Sequence, residues 1–357
     1  MTRVVQSRVL LFAVACLALP SPMLAHDGGE HDFDFNFGVW RTRVTRLERP
    51  LSGSQRWLEY QGIATVRKVW SGRASLFELD VQGAAGRIEG MGLRLYDPRS
   101  QQWNLNWASA ADGALTPPMI GRFAQGHGEF LDHELFDGRG ILARNSFSDI
   151  TPTSARFQQA FSTDGGRSWE TNWVMTFAAT ADRPAPAAEP SAAAHEDGRE
   201  FDFDIGTWTL HASRLQEPLT GSTRWEELDG TVVVSPVWGG RANLAEVTTT
   251  GPSGRLEILS LRLYDPRSRQ WSLSFADSAH GELSVPMFGQ FQNGRGEFYS
   301  QEPYRGRMIL VRFVIVPLTR DSARSEQAFS QDGGKTWEVN WVNTYTRTGA
   351  KSGRAAP

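Results

Sequence analysis

Glu129 and Arg144 each fall in a short strand-like stretch with apolar neighbours, residues 126–130 and 139–147, and the pair returns as Glu297 and Arg312 about 168 residues later. A carboxylate and a guanidinium enclosed together can orient the polar end of a ligand, since each offsets the other's desolvation. With Gln159 and Asn172, matched by Gln327 and Asn340, they would form the polar floor of a cavity. The same carboxylate could act as a general acid or base if burial raised its pKa. An arginine opposite works against that role, because the cation holds the pKa down.

Tryptophan supplies the apolar half of such a site, at 13 of 357 residues. Trp57, Trp70, Trp103, Trp169 and Trp173 recur as Trp225, Trp238, Trp271, Trp337 and Trp341, and Trp107 is replaced by Phe275. Aromatic walls with a few convergent polar groups are typical of small-molecule pockets. A small barrel that fills its own interior needs the same residue types, so both readings stay open at this point. The expected ligand-binding set is Trp57, Trp103, Trp107, Glu129, Arg144, Gln159 and Trp173, then Trp225, Trp271, Glu297, Arg312, Gln327 and Trp341.

Other charges recur as well. Glu59, Arg73, Glu78, Arg87, Glu89, Arg94, Arg139 and Arg156 return as Glu227, Arg241, Glu246, Arg255, Glu257, Arg262, Arg307 and Arg324. Solvated strand faces let charges drift between copies, whereas buried charges need their partners. Some of these are therefore expected to be inward-facing ion pairs, and the rest cross-strand surface pairs. Histidine behaves differently: His127, His133, His211 and His280 face Arg295, Gln301, Arg43 and Asp112. With no shared histidine, a haem ligand, a His-based metal centre or a Ser-His-Asp site common to both copies is disfavoured. His26, Asp27, Glu30, His31 and Asp32, and later His195, Glu196 and Asp197, read as solvated acidic leads. No phosphate-binding glycine loop, G-x-S-x-G or H-E-x-x-H is present. No cofactor and no metal is expected.

These recurrences follow from a tandem duplication. Residues 33–177 align without a gap on residues 201–345, with about half the paired positions identical. A unit of about 150 residues can bury a core of its own, and the period is too long for a solenoid repeat. Arg3 and Arg8, an apolar run from Val9 to Leu19 and a small residue at Ala25 have the layout of a secretory signal peptide. Lipid modification at Cys16, the single cysteine, is the weaker alternative, because the apolar run continues past it. Cleavage would leave no thiol for a disulfide or metal, and would take the formal charge from −3 to −5. A mildly acidic chain without a basic block is a poor nucleic-acid partner.

Short runs of Val, Ile, Leu, Thr, Phe and Trp alternate with polar residues between Gly, Asp, Pro and Ser turns, about ten runs per copy, and helical periodicity is nearly absent. Trp103, Leu105 and Trp107 alternate with Gln102, Asn104 and Asn106, and Leu93 and Leu95 with Arg94 and Tyr96. The copies open Phe33-Asp34-Phe35-Asn36-Phe37-Gly38-Val39-Trp40 and Phe201-Asp202-Phe203-Asp204-Ile205-Gly206-Thr207-Trp208. An aromatic-acidic lead followed by G-x-W resembles the calycin superfamily of lipocalins, fatty-acid-binding proteins and nitrobindins. Both units also resemble bacterial lipocalin-like proteins of unknown function that open F-D-F-x-x-G-x-W and end near D-G-G-x-[ST]-W-E-x-N-W. The resemblance implies a barrel plugged by Trp40 or Trp208, with Arg156 or Arg324 stacked on the indole. It implies no established activity.

Ser162-Thr163-Asp164-Gly165-Gly166-Arg167-Ser168-Trp169, matched by Ser330 to Trp337, resembles the Asp-box hairpin of sialidases. It reads as a structural turn, with a sugar-touching surface as the alternative. The expected fold is all-β, two tandem antiparallel lipocalin-like barrels of about ten strands each. The expected layout is a signal peptide at 1–25, barrel 1 at 26–178, an Ala/Pro-rich linker at 179–198, barrel 2 at 199–347 and a disordered tail at 348–357. The linker reads as a semi-extended tether, through which the two units are not expected to be rigidly docked. The expected function is an exported, periplasmic or secreted protein holding a small, partly apolar ligand in one or both barrels. The alternatives are a hydrolase- or isomerase-type enzyme using a buried glutamate, and an envelope protein meeting a glycan or protein partner. No nucleic-acid partner is expected, and no transmembrane segment after signal removal.

Overall fold

The computed structural model describes residues 28–180 and 198–348; the signal peptide, most of the linker and nearly all of the tail expected from the sequence lie outside them. Alternating apolar residues fold into ten strands per copy. Barrel 1 consists of β1 (Gly38–Leu47), β2 (Trp57–Val69), β3 (Ala74–Gly83), β4 (Gly86–Asp97), β5 (Gln102–Ser109), β6 (Met119–Ala124), β7 (His127–Phe136), β8 (Arg139–Ser148), β9 (Ser154–Ser162) and β10 (Glu170–Ala179). Barrel 2 consists of β11 (Gly206–Leu215), β12 (Trp225–Val237), β13 (Ala242–Gly251), β14 (Gly254–Asp265), β15 (Gln270–Asp277), β16 (Met287–Gln292), β17 (Arg295–Tyr304), β18 (Arg307–Thr319), β19 (Ser322–Ser330) and β20 (Glu338–Arg347). Each strand pairs antiparallel with the next, and the first closes on the last, so both copies are closed up-and-down barrels. Closure removes the unpaired edges that an open sheet would expose.

The opening motif seals one end. Asp34–Asn36 and Asp202–Asp204 form single 3-10 turns, and the phenylalanine before each turn is buried among rings. Phe33 meets Trp103 and Phe123 edge-on, each at 4.9 Å between centroids, and Phe201 meets Trp271 and Phe291 in the same way. The chain then enters the first strand through Gly38 (φ 125°) and Gly206 (φ 129°), a backbone region that favours glycine. Trp40 and Trp208 donate through Nε1 to the carbonyls of Asn36 and Asp204, both at 2.7 Å. The stacking arginine is not the one expected. Arg347, from the last strand, lies 4.1 Å over the Trp208 ring and donates to the Phe203 and Ile205 carbonyls. Arg156 and Arg324 sit on outward positions of β9 and β19, where Arg324 pairs with Glu326 at 3.2 Å. In barrel 1 the position of Arg347 is Ala179, and Trp40 packs on Phe177 instead.

The two barrels also pack directly on one another. Eight buried residues of barrel 1 and their eight counterparts in barrel 2 form one apolar cluster, including Trp70, Leu76, Leu93 and Leu95 against Trp238, Leu244, Leu261 and Leu263. Polar contacts around it obey the same exchange. Trp70 N donates to Glu246 at 2.9 Å, and Trp238 N donates to Glu78. Arg241 pairs with Glu89 at 3.0 Å, and Arg73 with Glu257. Applying the repeat offset to any of these contacts produces another, the signature of a two-fold, self-complementary interface within one chain. The barrels are therefore docked through the outer faces of β3–β5 and β13–β15. Several of the recurring charges serve this interface, where ion pairs inside the barrels were expected.

Candidate functional site

Strand alternation sends one set of side chains inward, and on β4 that set contains Arg94 while Leu93 and Leu95 face the other barrel. On β7 it contains Phe130, Asp132 and Glu134; on β8 Ala143 and Asn145; on β9 Phe157 and Gln159; on β10 Trp173 and Met175. With Leu79 and Trp107 they enclose about 220 Å³. Barrel 2 encloses about 330 Å³ among Arg262, Phe275, Glu302, Phe313, Gln327, Trp341, Asn343 and Tyr345. Five residues that line both cavities are identical in the two copies: Arg94, Met119, Glu134, Gln159 and Trp173 recur as Arg262, Met287, Glu302, Gln327 and Trp341.

The electrostatics of the two interiors differ. Arg94 is 5% exposed, donates from Nη1 to Asn36 Oδ1 at 2.8 Å, and lies over Phe33, Phe77 and Phe147 at 4.3, 5.2 and 5.5 Å. Desolvation pulls its pKa down to about 9. Each ring offsets about 0.5–2 kcal/mol, against a desolvation penalty of several kcal/mol for a buried ion. Arg262 instead pairs with Asp204, the counterpart of Asn36, and lies over Phe201 alone at 4.6 Å. Burial, and then the Glu134 charge, raise Asp132 to about 7, while burial alone raises Glu134 and Glu302. Barrel 2 adds a hydrogen-bonded row: Trp341 Nε1 donates to Asn343 Oδ1 at 2.7 Å, Asn343 Nδ2 to Ser325 Oγ at 2.9 Å, and Ser325 Oγ lies 2.9 Å from Tyr345 Oη. Burial pushes the Tyr345 phenol up to about 12. At the three positions matching Asn343, Ser325 and Tyr345, barrel 1 carries Met175, Phe157 and Phe177.

The residues expected from the sequence divide between the two faces. Trp107, Gln159 and Trp173 line the first cavity, and Gln327 and Trp341 the second. Trp57 (39% exposed) and Trp225 (41%) lie on the outside. Trp103 and Trp271 belong to the plugs, where Trp103 Nε1 donates to the Gly29 carbonyl at 2.9 Å and Trp271 Nε1 to Glu200 at 3.1 Å. Glu129 and Arg144 were expected inside and are outside, 3.8 Å apart, because they alternate with the inward Phe130 and Asn145. Arg144 lies over Trp169 at 4.3 Å and Arg312 over Trp337 at 4.7 Å, and Glu297 contacts Arg295 at 3.2 Å and Tyr299. Asn172 and Asn340 are buried, each with an unpartnered Nδ2, and line neither cavity. Sequence reasoning missed Arg94 and Arg262 as cavity residues, and Glu134 and Glu302 altogether. Recurrence was the available signal, combined with even spacing from Phe130 and Phe298.

The glycine-rich motif near the end of each copy forms a closed turn. Asp164 accepts from the Arg167 and Ser168 amides at 3.0 and 2.9 Å and from the Ser162 and Ser168 hydroxyls at 2.8 and 2.6 Å. Asp332 repeats the pattern with Thr336 and Ser330. These donors hold both carboxyls down to about 2.

No family model matches the chain, and no curated protein matches it. Among solved structures, the chain is similar to an S-type phycobiliprotein lyase from Guillardia theta (12% identity, TM-score 0.31, covering 44% of this chain and 99% of that one). It is also similar to a Nostoc punctiforme protein of unknown function from the DUF3598 family (10% identity, TM-score 0.25, 89% and 98%). A third is the transferrin-binding protein B of Haemophilus parasuis (7% identity, TM-score 0.18, 87% and 75%).

Proposed function

We infer that the protein is an exported binding protein whose two barrels each hold a small, partly apolar molecule. The observation that carries this is the repeated interior: a cavity in each barrel, with Arg, Glu, Gln and Trp at the same four inward positions. A barrel that used its interior only for packing would fill it with side chains and would not keep a guanidinium and a carboxyl there at the desolvation cost they carry. The aromatic and aliphatic wall takes the body of the ligand, and the polar set takes one end. Entry is proposed at the β5–β6 seam. Those strands pair over only three positions, Trp103 to Leu105, beside the cavity residues Trp107 and Thr116.

The signal-peptide layout of residues 1–25 supports export to the periplasm or beyond, to be checked by fractionating the native host. Tryptophan-quenching titrations with fatty acids, quinones, haem and aromatic metabolites test the binding reading. A saturable ligand with a stoichiometry of one or two per chain supports it, and no saturation in any class overturns it. The enzymatic alternative now rests on Asp132 and Glu134, whose raised pKa values suit proton transfer. It would be favoured over simple binding if Glu134→Gln together with Glu302→Gln abolished a turnover while leaving ligand affinity intact.

A further inference from the structure

The two plugs differ at one decisive position. Asn36 and Asp204 are equivalent, each ends a 3-10 turn under its barrel, and each is the hydrogen-bond partner of the inward arginine. In barrel 2 the arginine and the aspartate neutralise each other, both almost completely buried. In barrel 1 the single hydrogen bond of Arg94 goes to a neutral amide, and no described carboxylate forms an ion pair with it. Asn36 turns its oxygen to Arg94, which leaves its own Nδ2 buried without an acceptor. Arg94 therefore brings to the wall of the first cavity a positive charge without a matching anion, with the Asn36 amide buried behind it, a state that an incoming anion would relieve. Asp132 and Glu134, on β7, do not pair with Arg94, and burial favours their neutral forms.

We propose that barrel 1 takes a small molecule with an apolar body and one anionic head, a carboxylate above all, and seats that head on Arg94 beside Asn36. Barrel 2, self-neutralised by Asp204, takes an uncharged ligand against the Trp341–Asn343–Ser325–Tyr345 row. This rests on the ligand-holding reading above and adds the charge class of each guest. Chemically, the head must accept hydrogen bonds from a guanidinium, and the body must suit Trp107, Phe157 and Trp173. A cationic head cannot accept from the guanidinium, and a neutral head accepts without offsetting its charge.

The test is calorimetric titration of the full chain at pH 6 with two matched pairs of probes: octanoate against 1-octanol, and 3-phenylpropionate against 3-phenyl-1-propanol. For at least one pair, the acid is expected to bind at one site about tenfold more tightly than its alcohol. Asn36→Asp imports the arrangement of barrel 2 and should cost that acid about tenfold in affinity while leaving the alcohol nearly unchanged. The reciprocal Asp204→Asn should create a second site for the acid, and it decides the matter if Asn36→Asp fails to fold. Acids and alcohols binding equally, with neither exchange altering the preference, would overturn the charge assignment and leave the binding reading standing. No binding of any of the four probes would overturn both.

Discussion

Asp132 places one carboxyl oxygen in the wall of barrel 1 with no hydrogen-bond partner, and burial raises its pKa from 3.8 to about 7. The unfolded chain loses this proton near the lower value, so between about pH 4 and pH 7 the folded state binds a proton that the unfolded state has released. Stability therefore falls as pH rises through that window and levels off above it. Asp132→Asn is expected to flatten the pH dependence of Tm between pH 4 and 7, and an unchanged slope would contradict the assigned burial. Asp164 and Asp332 have the opposite sign. Their carboxyls are depressed to about 2, so the turns they cap keep their full contribution above the ordinary carboxylate range and lose it as pH falls toward 2. Amide exchange at Ser168 and Thr336 should stay slow at pH 4 and become fast in Asp164→Ala and Asp332→Ala respectively.

Each plug is centred on a phenylalanine that belongs to no strand. Phe33 and Phe201 are 1% and 0% exposed and touch rings from several strands. Phe33→Ala is expected to cost about 3–5 kcal/mol in chemical denaturation, and a loss below 1 kcal/mol would show that the lead is dispensable. The strands and the repeat could be read from the sequence, because alternation is a local signal, whereas the sealing role of Trp40 and Trp208 was only implied by the resemblance to the calycin superfamily. Which face of a strand looks inward could not always be read. On β4 the apolar residues Leu93 and Leu95 look like the lumen side, yet they lie under the second barrel, and the charged Arg94 faces in. Burial on both faces removes the contrast on which such a reading depends. On β7 the pattern is inverted: Leu131 and Leu135 are exposed while the parity of Phe130 assigns the interior to Asp132 and Glu134, so apolar neighbours pointed wrongly to Glu129 and Arg144. The arginine on Trp208 was missed for another reason: Arg347 has no counterpart in the first copy, so recurrence could not point to it.

At the scale of the whole molecule, the chain has the internal symmetry of a two-fold dimer joined by a linker. Its apolar seam recurs position for position in the two barrels, and Glu78 and Glu246 each accept from the backbone of a tryptophan held at φ 54°. Leu93→Asp together with Leu261→Asp should separate the barrels and lower Tm, while each barrel keeps its own β circular-dichroism signature. Residues 28–180 and 198–348 expressed as two chains should reassociate in trans, and failure to do so at micromolar concentration would contradict the docked arrangement. This seam leaves both interiors free to hold a guest. The most direct measurement is a crystal soaked with 4-iodophenol, whose iodine can be located by its anomalous signal. The account predicts iodine inside both barrels, against Trp173 and Trp341. Iodine confined to outer surfaces, with both interiors unchanged by the soak, would contradict it.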